Sequence, residues 1–221
     1  MNMPRLMTEY CPPEGELDVL HEDPHLVFVD KPSGLLSVPG KPEAHWDCVE
    51  YRVRQMFPGA RLIHRLDLET SGVMVFARSH AAQKHVNRQF ERRDVQKAYI
   101  ARVAGQVTAD AGVIDLPLIA DWPRRPMQKV CHETGRPART RWQVLEREDS
   151  VTRLELLPET GRSHQLRVHL SEIGHPILGD PFYAPEELWQ AAPRLQLHAS
   201  SLALCHPETG SELKIEAHCP F

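Results

Sequence analysis

The apolar residues of this chain come in short runs cut by turn residues, and no other feature restricts its fold as much. Residues 26–29, 73–77, 99–103, 154–157, 196–197 and 213–215 read as strands. Only three segments read as helices. Residues 46–57 form the first, stopped by Pro58-Gly59. The second runs from an N-cap at Ser79 to about Arg92, with Ala82, Val86 and Phe90 at four-residue spacing. The third is capped by Ser163 and carries Leu166, Leu170 and Ile173 at i, i+4 and i+7 before Gly174 ends it. Strands outnumber helices and do not alternate with them strictly. That order predicts an α+β fold with a mixed, largely antiparallel sheet and flanking helices and loops.

The organisation around this core is simple. Residues 1–24, rich in Pro and Glu, read as an extended N-terminal arm, and 25–221 as the folded body. Lys31-Pro32-Ser33-Gly34 is a turn, with Pro and Gly supplying its restricted and permissive dihedrals. No apolar run approaches the roughly 20 residues of a membrane span, and the N-terminus lacks a signal-peptide core. Five cysteines without a C-x-x-C pair argue against a disulfide framework and for a reducing cytoplasm.

The net charge of −4 is unevenly spread. Between Arg78 and Arg147 stand 14 Lys and Arg against 7 Asp and Glu, which leaves the remainder at −11. Such asymmetry suits a basic face for phosphate groups, although a solvated surface would give the same count.

One stretch concentrates the chemistry: His64-Arg65-Leu66-Asp67-Leu68-Glu69-Thr70-Ser71-Gly72. Apolar Leu62-Ile63 precede it and the 73–77 strand follows, so Asp67 is expected on a turn held between buried segments. A carboxylate kept ionised beside a cation is what a nucleophile or base must be. The same R-x-D spacing would also suit an ion pair that merely pins the turn.

With H-R-L-D followed by T-S-G, the chain resembles the RluA family of pseudouridine synthases. Lys31-Pro32-Ser33-Gly34-Leu35-Leu36, Lys97-Ala98-Tyr99, the run Thr160 through His169, and Gly174-His175-Pro176-Ile177-Leu178-Gly179-Asp180 support it in the same order. The segment from Asp121-Trp122-Pro123 to Gln128-Lys129-Val130 is most similar to the short, single-domain type of that family, which modifies both tRNA and 23S ribosomal RNA. The resemblance implies a pseudouridine synthase catalytic domain over 25–221. It implies an isomerase of RNA uridines, acting on a tRNA anticodon stem-loop and a 23S rRNA hairpin as a monomer, without cofactor, metal or membrane partner.

Three residues carry the implied catalysis. Asp67 acts at the sugar, as nucleophile or as base on the 2′ proton. Tyr99 stacks on the uracil and relays a proton, and Arg167 keeps the carboxylate ionised. Leu166 would pack beneath the base, and His64 would belong to the substrate pocket. Arg65 would fill the gap left by a flipped base, as a planar guanidinium can. Candidates for loop recognition are Trp122, Arg124, Arg125 and Lys129, with Arg92 and Arg93 near the second helix.

Other patterns compete. His21-Glu22-Asp23-Pro24-His25 matches the zinc-hydrolase H-E-x-x-H, but that chemistry needs both histidines on one helical face and Pro24 opposes a helix. Gly34 to Lys41 is one residue too long for a phosphate-binding loop. His64, His164 and His169 lie in the family motifs and read as packing and hydrogen-bonding residues rather than ligands. A second class remains, an RNA-binding or RNA-folding protein with incidental catalysis, which would keep the basic face and not need Asp67.

Overall fold

The computed structural model describes Arg5 and residues 9–221. In chain order the elements are β1 (Asp18–Glu22), β2 (Leu26–Lys31), α1 (Val49–Met56), β3 (Arg61–Leu62), β4 (Ser71–Ala77), α2 (His80–Arg92), β5 (Gln96–Ala104), β6 (Ala111–Asp115), β7 (Leu118–Ala120), β8 (Gln128–Val130), β9 (Arg139–Glu148), β10 (Val151–Pro158), α3 (Gln165–Glu172), α4 (Glu186–Gln190), β11 (Leu197–Cys205) and β12 (Glu212–Glu216). They form two compact units, one of Glu9–Lys97 with His198–Pro220, the other of Ala98–Leu197 with Arg5 and Phe221. The fold is α+β, and within each unit the described strand pairs are antiparallel except β4 with β11.

In the first unit β4 is the central strand. All seven of its residues are buried, as an uninterrupted apolar run between two neighbours requires. It pairs antiparallel with β2 and parallel with β11. β1 joins β2, β3 joins β4 and β12 joins β11. The arm read at 1–24 thus includes a paired strand at its end, while residues 1–4 and 6–8 lie outside the described residues. Leu26, Phe28, Val73, Val75 and Val86 form this unit's core with Leu202 and Leu204. Gly72 sits where β11 comes closest. Its φ is 113°, and a Cβ there would run into the backbone of Ala199, so only glycine fits.

α2 follows its sequence signals. Ser79 Oγ accepts from the Ala82 N–H at 3.1 Å, Ala82 and Val86 are buried, and the helix ends at Arg93 in the left-handed region. α1 begins later than the pattern predicts. A 3-10 turn at Glu43–His45 comes first, the Cys48 thiol caps the helix, and Trp46 is left 54 % exposed.

In the second unit β5, β10, β9 and β6 form an antiparallel sheet, and β7 and β8 form a separate two-stranded hairpin. Alternate residues of β9 and β10 point inward, among them Trp142, Leu154 and Leu156. They pack with Leu166 and Leu170 of α3.

α3 departs from its expected start. Its N-cap is His164, with φ 53° and no side-chain cap bond, rather than Ser163. Tertiary bonds replace the cap. Gln165 Oε1 accepts from Thr160 Oγ1 and the Arg162 N–H, and its amide donates to the Arg139 carbonyl and to Thr140 Oγ1. Ile173 is the C-cap and partly exposed, so it does not extend the buried stripe.

Candidate functional site

Asp67 stands on a turn whose backbone is tied from behind. The Thr70 N–H closes the turn on the Asp67 carbonyl at 3.2 Å, and the Gly34 N–H donates to the Leu68 carbonyl. Lys31 is fully buried, and its ammonium donates to the carbonyls of Pro32, Leu68 and Thr70 at 2.9, 2.8 and 2.7 Å. An ammonium out of water is costly unless its protons are satisfied, and here the turn supplies the acceptors. Ser33 Oγ donates to the Glu69 carbonyl and Ser37 Oγ to that of Leu66, both at 2.7 Å. The Leu66 N–H in turn donates to Ser37 Oγ. Leu66 is buried, Asp67 half-buried and Arg65 exposed. The Lys31-Pro32-Ser33-Gly34 turn is therefore the scaffold of the Asp67 turn, a role that its sequence alone does not give it.

His64 belongs to the same scaffold. Its Nε2 accepts from the Val75 N–H at 3.1 Å, and its ring stacks on Phe90 at 5.2 Å. Burial, with the Lys97 charge second, pushes its pKa down to about 3, although an edge of the side chain keeps some exposure. A neutral ring is what the Val75 bond demands. The Phe90 contact also brings the last turn of α2, with exposed Arg92 and Arg93, beside this turn.

In the other unit Tyr99 lies on β5, opposite Leu156, and packs partly buried against the core. Leu166 and Arg167 open α3, and both are buried. Arg167 meets a carboxylate that sequence reading left without a role. Its Nε and Nη2 donate to Asp180 Oδ2 and Oδ1 at 2.8 and 2.7 Å, a two-pronged pair with both side chains at most 2 % exposed. Asp180 Oδ1 also accepts the N–H groups of Phe182 and Tyr183, and both rings lie near the guanidinium, 4.9 and 5.3 Å from its carbon. The available signal was Gly179 just before it. With φ 73°, and a Cβ that would strike the Arg194 carbonyl, it marks a forced turn.

The β7–β8 hairpin gathers four of the recognition candidates. Asp121 is buried and holds Arg124 Nε at 2.5 Å and Lys129 Nζ at 3.8 Å. The Arg125 guanidinium lies 3.7 Å over the ring of Trp122, which is 65 % exposed. Gln128 is anchored through its N–H to the Tyr183 hydroxyl, which also bonds His164 Nδ1. Elsewhere in the basic segment four arginines are ion-paired, Arg102 with Glu148 among them. Arg139 and Arg141 meet Glu159, and Arg147 meets Asp110.

Two further histidine patterns are accounted for by hydrogen bonds and backbone geometry. His169 bonds Thr140 Oγ1 and the Leu116 carbonyl, and burial lowers its pKa. His21 lies on β1 and His25 beyond the Asp23 turn, so the helical face required for H-E-x-x-H zinc binding does not form. His21 bonds Asp23 Oδ2 instead.

With this geometry established, comparison with known proteins is specific. The family model described as RNA pseudouridylate synthase matches residues 25–172. A Salmonella typhi protein named dual-specificity RNA pseudouridine synthase RluA is 51 % identical over 97 % of this chain and 99 % of its own length. Its Yersinia pestis namesake is 53 % identical over 92 % of this chain and 99 % of its own. Among solved structures, human RNA pseudouridylate synthase domain containing 1 superposes with a TM-score of 0.81 at 29 % identity, covering 96 % of this chain and 87 % of that one.

Proposed function

The chain belongs to the RNA pseudouridylate synthase family and is an isomerase acting on RNA, and from that premise we propose that it modifies one uridine in each of two RNAs, a tRNA anticodon stem-loop and a 23S ribosomal RNA hairpin. The observation that carries the proposal is near-full-length identity to relatives named as dual-specific, in a chain whose Asp67 turn is anchored by Lys31, Ser33 and Ser37.

The reaction breaks the bond from sugar C1′ to base N1 and joins C1′ to C5. N1 gains a proton and C5 loses one, so atoms and electrons balance within the nucleotide. In this reading Asp67 acts at the sugar, where a fixed carboxylate is needed. Tyr99 stacks on the detached uracil and carries the C5 proton. Arg167, its guanidinium fixed by Asp180, serves the ionised carboxylate. Leu166 supports the base. Arg65, exposed on the rigid turn, takes the place of the flipped base, which lowers the unstacking cost. Trp122, Arg124, Arg125, Lys129, Arg92 and Arg93 hold the surrounding RNA. Residues 25–221 serve as the catalytic domain of a cytoplasmic monomer that needs no cofactor. Cys11, Cys48, Cys131 and Cys205 stand as thiols, and among the described residues no helix is long and apolar enough to cross a membrane.

The test is Asp67→Asn, assayed for binding and for pseudouridine on both RNAs. Binding should persist within about twofold while turnover falls on the order of 10³-fold or more. Turnover by this variant, with reversion to Asp excluded, would favour an RNA-binding protein in which Asp67 has no chemical part. Modification of one RNA alone would leave the isomerase and remove the second substrate.

A further inference from the structure

Beside the β7–β8 hairpin lies a cavity of about 260 Å³ to which the proposed chemistry assigns no task. Arg124, Gln128 and Lys129 of the hairpin line it, together with Glu172 at the end of α3 and the rings of Phe182 and Tyr183. The volume falls just below the roughly 300–1,000 Å³ of sites for drug-sized ligands, and so suits a single nucleotide.

Its chemistry is divided. Arg124 and Lys129 face one buried carboxylate, Asp121, which holds both. Glu172 adds a second negative charge, so the formal charges cancel. A simple anion gains little from such a site. A ligand with an anionic group at one end and hydrogen-bond donors at the other is complementary to it. Gln128 offers an amide, which donates and accepts, and Glu172 offers acceptors only. An amide read by adenine and a carboxylate read by an exocyclic amine are the usual protein partners of amino-bearing bases.

The walls are also rigid. Tyr183 is held through its hydroxyl by Gln128 and His164, through its N–H by Asp180, and through its carbonyl by Ser171. Phe182 is fixed by Asp180 and stacked with His164.

We propose that this cavity takes a second unpaired nucleotide of the RNA, one whose base carries an exocyclic amine, with its phosphate on Lys129 and its base against Arg124, Gln128 and Glu172. The site selects the loop, while the turn of Asp67 acts on the uridine. The inference rests on the reading that stem-loops are the substrates, and its test is kept apart from turnover.

The experiment measures binding by fluorescence anisotropy with the full chain and an anticodon stem-loop RNA. Each loop nucleotide other than the target uridine is made abasic in turn, then replaced by uridine. Wild type should lose about tenfold in affinity at one position, equally for the abasic and the uridine form, a size typical of one stacked or edge-read base. The combined variant Gln128→Ala, Glu172→Gln should bind the intact RNA about tenfold more weakly and show no further loss at that position. Ser171→Phe, which fills the cavity from α3, should behave the same way, with thermal melts confirming both folds. If the abasic penalties in wild type and variants coincide at every position, the cavity holds no nucleotide. Isomerisation of the intact stem-loop, followed in parallel, reports separately on the activity.

Discussion

The turn that carries Asp67 and the hairpin that carries Trp122, Arg124, Arg125 and Lys129 are both short connections, yet they are held in opposite ways. The turn is fixed through its backbone. A buried ammonium and two hydroxyls take up four of its carbonyls, and a neutral histidine begins it. The hairpin is held through side chains by one buried carboxylate and one tyrosine hydroxyl, and its largest aromatic residue faces solvent. The difference teaches where each kind of precision resides. On the proposed roles, Asp67 must meet a particular sugar atom, which needs a backbone that cannot shift. The hairpin residues would meet phosphates and unpaired bases, contacts that tolerate adjustment and allow mobile tips.

Removing the ammonium should test this contrast most severely. Lys31→Met leaves buried carbonyls without donors, at about 1–3 kcal/mol for each unsatisfied group. We expect at least about 3 kcal/mol of lost stability in urea denaturation, and a fall in kcat with little change in KM. Wild-type stability in Lys31→Met would show that the turn does not depend on its buried anchor.

The matching change in the hairpin is Asp121→Ala. It releases Arg124 and Lys129 and should cost about 2 kcal/mol, the range of charge-assisted hydrogen bonds. Here the loss should appear in RNA affinity, with kcat on saturating RNA nearly unchanged. A large fall in kcat would make the hairpin part of the chemistry and erase the distinction.

A smaller effect, about tenfold in affinity, is expected from replacing Arg124 and Arg125 together by Ala. Each neutralised phosphate releases counterions, so the slope of log affinity against log salt should become shallower by about 1–2. An unchanged slope would place the RNA backbone on another surface.

The smallest effect concerns His64. Its native pKa of about 3 lies below the ordinary 6.5. Between these values the unfolded chain binds a proton that the folded chain does not, so stability is lost as pH falls below about 6.5. After discounting for partial exposure, His64 should account for about 1 kcal/mol of the loss between pH 7 and pH 5. His64→Gln should flatten the pH dependence by that amount, and equal slopes in the two proteins would show that the ring is not held neutral. His169, lowered in the same direction, contributes to both proteins alike.

Much of the fold was legible because its signals are local. The Ser79 cap, the spacing of Ala82 and Val86 and the apolar run of β4 each act within a few residues, and each gave the element found. The misreadings arose where distant bonds replaced local ones. Ser163 has the chemistry of a cap, but Gln165 turns the chain through bonds to Thr160 and to Arg139 and Thr140 of β9, and α3 starts at Gln165 with His164 as its N-cap. The segment 121–135 has the polar, Pro-containing look of a loop, yet Gln128–Val130 within it pairs as β8 with β7 just before it, and Leu118 and Val130 pack with Val168 and Tyr183.

The candidate site divides along the same line. The sequence by itself determined the Asp67 turn, its bounding strands and the family, since side-chain type and order within nine residues, repeated in further ordered motifs, suffice for those. Tertiary structure alone decided what holds the pieces. It set Lys31 under the turn from 36 residues away, gave Arg167 the carboxylate of Asp180, and left an open cavity between α3 and the hairpin. Burial is the physical reason. A charge removed from water must find partners wherever the packed chain brings them, and no local preference says which residues those will be.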